Sequence, residues 1–416
     1  MAARDRVVII GGGVIGVCSA YYLARQGRPV TLLEQGEICA GSSYGNAGLI
    51  VPSHSVPLAA PGVLWKGLKW MLNPESPFYI KPRLDRDLLG WLWRFAAACR
   101  TSRMRRAIPI IRDLSRASLA LYRELAALDG FEFGYQERGA LGVYVTEHGY
   151  ADGRAEARLL EEAGLPAKVL DGPAARSVEP ALSAEVVGAV YFAEDAHLIP
   201  DRFVTGLARI AAGLGATVRT GTEVLGFTTG GRRIAAVETT RGTVEAGEVV
   251  LAAGSWSPGI ARGLRLRLPI QPAKGYSLTC RRPPDSPAIP LLLGEAKVGV
   301  TPMADTLRFA GTLELAGLDL AINRRRVDAI RRSAVRYLRA AANVEVLEIW
   351  RGLRPCTPDG LPIIGRPAHL DNLIVATGHA MIGVSLGPVT GRLVSQLAGG
   401  ERPLFDLAPL SPERFA

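Results

Sequence analysis

The sequence predicts an α/β protein in two parts: a parallel sheet covered by helices, and a second part built on a mixed β-sheet. Three observations predict it. The apolar run of residues 7–10 leads straight into Gly11, Gly13 and Gly16, in the order G-x-G-x-x-G, and a helical stretch then runs to about Gln26 with Gly27 as its stop. Residues 29–33 form a second strand that delivers Glu34, 18 residues beyond Gly16. Near the other end, a strand at 373–376, a glycine turn and a helix from about Gly383 repeat the same order, whereas residues 269–313 are β-rich. The two ends are therefore expected to share one sheet and the middle to form another.

Each part of the first unit has a physical job. Gly11 permits a tight turn, Gly13 lets backbone approach a pyrophosphate, and Gly16 lets helix and strand pack closely. Val14 and Ile15 open the helix, whose unpaired N–H groups face the phosphates. Glu34, followed by Gln35, stands where an acidic side chain accepts the hydroxyls of an adenosine ribose. A lone G-x-G-x-x-G is weak; strand, turn, helix, strand and acid together predict a Rossmann-like dinucleotide site. Residues 7–24, uncharged and apolar after Arg4 and Arg6, also read as a signal peptide or a membrane span. The fingerprint and Glu34 decide against that reading.

The 416 residues are 48% hydrophobic and 21% charged, enough for two domains with substantial cores. Five widely spaced cysteines, with no C-x-x-C pair or Cys/His cluster, predict no structural metal and no disulfide framework, and fit a reducing cytoplasm. The net charge of +10 invites a nucleic-acid reading. The basic residues, however, are scattered through helices such as 324–339 without interleaved aromatics, so no nucleic acid is expected. Anionic substrates or an anionic membrane surface would feel the same charge.

Two stretches keep alternative readings. Residues 42–48, with Ser42, Ser43, Asn46 and glycines, are either a second phosphate or flavin loop or a plain polar turn. Residues 61–105 hold Trp65, Trp70, Trp91 and Trp93 among Lys66, Lys69, Arg94 and Arg100. Such a segment lies on a membrane or partner, or packs its aromatic side on its own core. Elsewhere the patterning predicts strands at 139–145, 188–192 and 216–220, a hairpin around Arg241-Gly242, and an apolar strand at 249–252 closing on Ala253-Gly254. Helices are expected at 155–163, from 200–201 to 213–215, and at 323–341.

Nearly end to end, the chain resembles the D-amino-acid dehydrogenase branch of the D-amino-acid oxidase / glycine oxidase family of FAD-dependent oxidoreductases. The resemblance rests on VVIIGGGVIGVCSAYYL with TLLE, SSYGNAGLIVPSHSVPLAAPG, LAAGSWS, PAKGYSLT, WRGLRPCTPDGLPIIG and ATGHAMIGVSLGP. It implies FAD, held without a covalent bond, and a discontinuous FAD-binding domain of residues 1–85, 147–268 and 345–416. Residues 86–146 and 269–344 would form the substrate domain. It assigns Gly11, Gly13, Gly16 and Glu34 to the ADP half. Ser42, Ser43, Asn46, Ala47, Gly48 and Leu49 fall to the pyrophosphate and flavin, Val224 to the adenine, and Ala253 and Gly254 to the floor beneath the nucleotide. Gly378, Gly383 and Val384 form the turn and helix start at the flavin.

Arg354 matches the arginine that grips the substrate carboxylate, and Tyr276 and His379 are candidate substrate-side groups. Each has a structural alternative: Arg354 paired with Asp359, Tyr276 capping the core from its strand, His379 hydrogen-bonded at a turn. Cys356 and His54 are of the types that attach flavin covalently, but their contexts do not demand it. The activity implied is oxidation of a D-amino or cyclic imino acid, such as D-proline or hydroxyproline, with electrons passed to a quinone or partner carrier. Oxygen-dependent glycine or sarcosine oxidation, or a flavin subunit of a larger complex, are the rivals. The place implied is the cytoplasm, with peripheral contact on the inner membrane.

Overall fold

Strand Val7–Ile10 lies inside a six-stranded sheet because both its faces are apolar and all four residues are buried. The computed structural model describes residues 5–71 and 75–415; Arg4 and the side chains of Lys66 and Lys69, named above, lie outside the described residues. The sheet runs Ile363–Gly365, Leu373–Thr377, Glu248–Leu251, Val7–Ile10, Val30–Leu33, Thr217–Arg219, with only the first pair antiparallel. The two chain ends share this sheet. Helix Val14–Arg25 ends at Gln26, and Gly27 follows at φ +74°. A separate meander of Val224–Gly230, Arg233–Thr239 and Gly242–Glu245 contains the expected hairpin.

The second sheet has nine strands. Its path runs Val346–Cys356, Gln271–Arg281, Thr306–Leu315, Val298–Met303, Leu291–Leu293, Ala140–Tyr144, Gly188–Phe192, Lys168–Asp171, and Phe78–Ile80 pairs with Thr306–Leu315. The expected domain boundaries differ from this arrangement. Residues 147–192, placed with the nucleotide part, supply two strands and two helices to the second sheet. Residues 78–80 and 346–356 join it as well. Helix Thr101–Ala126, placed with the substrate part, packs the other way: Leu119, Tyr122 and Leu125 enter the core beside helix Val14–Arg25, and Tyr122 Oη donates to Val384 O at 2.5 Å. Period-2 and period-3.6 patterns fix what an element is, not which sheet it joins, since strand partners here are distant in sequence. The expected helix at 323–341 stops at Ala334 and resumes as a short 3-10 turn, Arg339–Asn343.

Candidate active site

A cavity of about 1610 Å³ opens over the carboxyl ends of the parallel strands, touching Ile10, Glu34, Ala252 and Thr377. This is where open α/β sheets bind ligands. The first glycine turn builds one wall. A Cβ at Gly11 would stand 2.6 Å from Ala252 O, and one at Gly16 would stand 1.9 Å from Gly11 O. Both glycines are therefore required by the protein's own packing, and Gly16 lies behind the wall rather than on it. Gly13 differs: its Cβ would meet only Ser43 Oγ, at 3.4 Å. Its bare backbone faces the cavity, as close approach of a ligand requires.

Glu34 accepts from Gly12 N at 2.7 Å and Gly36 N at 2.9 Å, which fixes its carboxylate at the cavity edge with Gln35 beside it. Ser43 Oγ takes the N–H of Val14 at 3.0 Å, leaving the amides of Ile15 and Gly16 without intrahelical partners before Val17 N closes the first turn on Gly13 O at 3.0 Å. Helix Gly383–Gly399 has no side-chain cap, and Gly383 and Val384 line the same cavity. Two positive helix ends thus converge on one space, an arrangement suited to an anionic ligand.

The remaining expected residues divide. Ser42, Asn46, Val224, Ala253, Gly254 and Gly378 line the cavity. Ser42 and Ser255 both donate to Leu353 O, the latter at 2.9 Å, and so tie the loop to the substrate sheet. Ala47, Gly48 and Leu49 do not line it. Gly48 sits at φ +71° with Leu198 O where its Cβ would be, and Leu49 pairs with His197. Their work is to hold the loop, a role that sequence cannot separate from contact. Arg308 had no sequence signal. It is 4% exposed and donates to Tyr44 O (2.9 Å), Asn46 O (3.0 Å) and Thr279 Oγ1 (3.2 Å), pinning the loop from the second sheet. Burial lowers its pKa.

The three candidate catalytic groups fare differently. Tyr276 is 1% exposed, lies in the core of the second sheet, and its Oη accepts from Asn323 N at 3.2 Å. It is not among the cavity residues, because its strand turns that side chain inward. His379 borders the cavity but is 3% exposed, and its Nε2 lies 2.9 Å from Thr390 Oγ1. Burial pushes its pKa down to about 3, so it stays neutral and anchors the turn to the last helix. Tyr276 thus stays away from the cavity, whereas His379 borders it as a neutral group.

Arg354 is half-buried in strand Val346–Cys356; its neighbours Leu353 and Pro355 line the cavity, and Arg354 itself is not among the lining residues. Its guanidinium lies over Gly275, whose Cβ would stand 2.0 Å from Nη1. Nη1 donates to Thr312 O at 2.7 Å, and among the described residues no carboxylate pairs with it. Asp359, the alternative partner, is held instead by Arg414 at 2.8 Å. Burial lowers the Arg354 pKa, as for a cation kept short of compensation. Cys356 and His54 are absent from the cavity wall, and burial raises the Cys356 thiol to about 12.

Parallel sheet, glycine turn, ribose-side acid and paired helix ends define a dinucleotide-binding oxidoreductase with an attached substrate sheet. The chain belongs to the FAD dependent oxidoreductase family, whose model matches residues 6–397. It is 37% identical to a D-amino acid dehydrogenase of Methylobacterium radiotolerans and 33% identical to one of Granulibacter bethesdensis, covering 99% of this chain and at least 99% of each relative. Among solved structures, glycine oxidase from Geobacillus kaustophilus matches with a TM-score of 0.80 at 26% identity, over 98% of both chains. L-proline dehydrogenase from P. horikoshii shares the fold, with a TM-score of 0.78 at 21% identity over 99% of this chain and 97% of that one. The residues present fit FAD: a bare Gly13 and Gly254, a fixed Glu34 and two helix ends are what its phosphates and ribose need. Among the described residues no cluster could hold a metal ion, and no helix is long and apolar enough to cross a membrane.

Proposed function

We propose that this chain oxidises D-amino acids, open-chain or cyclic, to 2-oxo acids or cyclic imines, and passes the electrons to a quinone or carrier protein. The observation that carries this is Arg354. A half-buried guanidinium on the strand whose residues 351–353 and 355 line the cavity, with one donor engaged by a carbonyl and no carboxylate among the described residues against it, is matched to a carboxylate brought by the substrate. FAD, when bound, supplies the acceptor for the hydride leaving the substrate Cα. The imine formed with loss of the amine proton takes up water, releasing ammonia and the 2-oxo acid. The chain's own contribution is orientation: Arg354 fixes the carboxylate, and Ser42 and Ser255 hold the strand that bears it. The names of the relatives, matched over their full length, support the D-amino acid and the dehydrogenase reading.

A surface feature supports delivery of the electrons at a membrane. Helix Arg86–Ala98 buries Leu88, Trp91, Phe95 and Ala98, so the core-packing reading holds for Trp91. Its other face leaves Trp93 78% and Leu89 58% exposed, and Trp65 is 76% exposed. Residues 61–106 carry ten Lys and Arg against three Asp and Glu. Exposed tryptophan in a basic field suits the surface of an anionic bilayer. Trp91 and Arg94 of the same helix line the cavity, so an oxidant dissolved in lipid would meet it there. Dye reduction and peroxide release, followed in parallel on a panel of D-amino acids, test the reading. Fast dye reduction with slow peroxide is expected; stoichiometric peroxide at the same rate would make the protein an oxidase.

A further inference from the structure

The loop at residues 316–323, between strand Thr306–Leu315 and helix Arg324–Ala334, is held far more firmly than a connection requires. Lys274 is 2% exposed, and its Nζ donates to Ala321 O at 2.8 Å. The ammonium is compensated by Asp319 at 3.4 Å and Glu314 at 3.6 Å, and Glu314 in turn faces the buried Arg326 at 3.4 Å. Arg351 Nε donates to Leu320 O at 3.1 Å, and Tyr276 Oη accepts from Asn323 N at 3.2 Å. A buried lysine carries a desolvation penalty that a merely connecting loop does not justify. What Lys274 fixes is a stretch whose outward residues include Leu318, 55% exposed, and Leu320, 42% exposed, and both line the cavity.

An apolar wall inside a ligand cavity, rigid and uncovered by the protein, is covered by ligand. Its neighbour identifies which part of the ligand. The guanidinium of Arg354 lies over Gly275, the residue after Lys274, and donates to Thr312 O on the strand that runs into the loop, so the loop begins four residues beyond the carbonyl that Arg354 engages. We propose that residues 316–323 form a fixed wall for the side chain of the amino-acid substrate, that Leu320 and Leu318 set its specificity for apolar side chains, and that Lys274 is the positioning residue. The inference rests on the reading that Arg354 takes the carboxylate. It gives Tyr276 a purpose: it secures the wall instead of touching substrate.

The test uses the FAD-loaded enzyme with D-alanine, D-leucine and D-phenylalanine. Leu320→Ala is expected to lower the ratio of kcat/KM for D-leucine over D-alanine by about ten- to a hundred-fold, the range for lost methylene contacts in an apolar pocket. Lys274→Met should lower the same ratio and, with flavin content retained, speed amide hydrogen exchange across 317–322. Where Lys274→Met loses its flavin or unfolds, Leu320→Ala decides alone. A ratio unmoved in Leu320→Ala overturns the wall, all the more if binding to anionic vesicles falls, which would assign Leu320 to a membrane face. Wild-type enzyme inactive on every D-amino acid would instead overturn the carboxylate reading, and the wall with it.

Discussion

Replacing Arg354 isolates the carboxylate contact from the rest of the fold. A charge-assisted hydrogen bond contributes about 1.5–3 kcal/mol, and breaking a largely desolvated ion pair costs about 3–5 kcal/mol. At roughly 1.4 kcal/mol per tenfold, Arg354→Met should lower kcat/KM by about ten- to several-thousand-fold. Arg354→Lys should recover only part of it, because an ammonium cannot make a bidentate contact. Flavin content should stay near normal, since Glu34 is held by Gly12 N and Gly36 N, and Arg354 by Thr312 O, with no shared partner. The structure supplies a second route to the same loss. A Cβ at Gly275 would stand 2.0 Å from Nη1 and 2.4 Å from Cζ of Arg354, so Gly275→Ala must push the guanidinium away while leaving its charge in place. Gly275→Ala is therefore expected to reproduce the kinetic defect of Arg354→Met, and the two changes together should cost little more than either alone. Steady-state kinetics on one good D-amino acid, with flavin absorbance as the control, measures this. Near-normal kcat/KM in Arg354→Met on every D-amino acid would refute the reasoning, and additive losses in the double variant would show that Gly275 acts elsewhere.

Three further outcomes follow from the same geometry. Gly13→Ala should fold normally yet purify with well under one flavin per chain, whereas Gly11→Ala, whose Cβ meets Ala252 O at 2.6 Å with φ at +112°, should lose stability itself; flavin-to-protein ratios and denaturant midpoints separate the two. Asp195 is fully buried, with its carboxylate accepting from Ser53 N at 3.1 Å and Ser53 Oγ at 2.5 Å, and burial raises its pKa to about 7. Because the folded value is above the unfolded one, stability from this group is full below about pH 4 and is lost as pH rises through 7. Between about pH 5 and about pH 8.5 the wild type should lose roughly 2–3 kcal/mol more than Asp195→Asn, and parallel pH profiles in urea unfolding would discard the idea. Trp65→Ser combined with Trp93→Ser should weaken sedimentation with vesicles containing phosphatidylglycerol while soluble-dye turnover persists; unchanged sedimentation removes these residues from any membrane face.

The parts of the site that were legible in the sequence are those made by contiguous chain. The elements from Val7 to Leu33 were legible because strand, turn, helix and strand follow one another, although the packing that requires glycine at position 11 comes from Ala252, far along the chain. The last strand and helix were legible on the same grounds. Long-range pairing was not. Asp359, five residues from Arg354, was the natural partner for it, yet Arg414, 55 residues away, holds Asp359. His379 has the composition of a catalytic group, but Thr390, about two turns into the next helix, claims its nitrogen. Tyr276 alternates onto the covered side of a strand in a sheet packed on both faces, where period two cannot distinguish cavity from core. Arg308 sits in a strand among apolar residues, and only the fold brings Tyr44 and Asn46 over it.

The central claim, that this cavity presents a D-amino acid to FAD with its carboxylate on Arg354, is tested most directly by anaerobic mixing of the purified holoenzyme with substrate. The account predicts that D-amino acids bleach the visible flavin band with one 2-oxo acid or cyclic imine formed per flavin, that their L-enantiomers do not, and that bleaching in Arg354→Met is slowed in proportion to its loss of kcat/KM. A flavin that no D-amino acid reduces, or one reduced equally fast with and without Arg354, would contradict it.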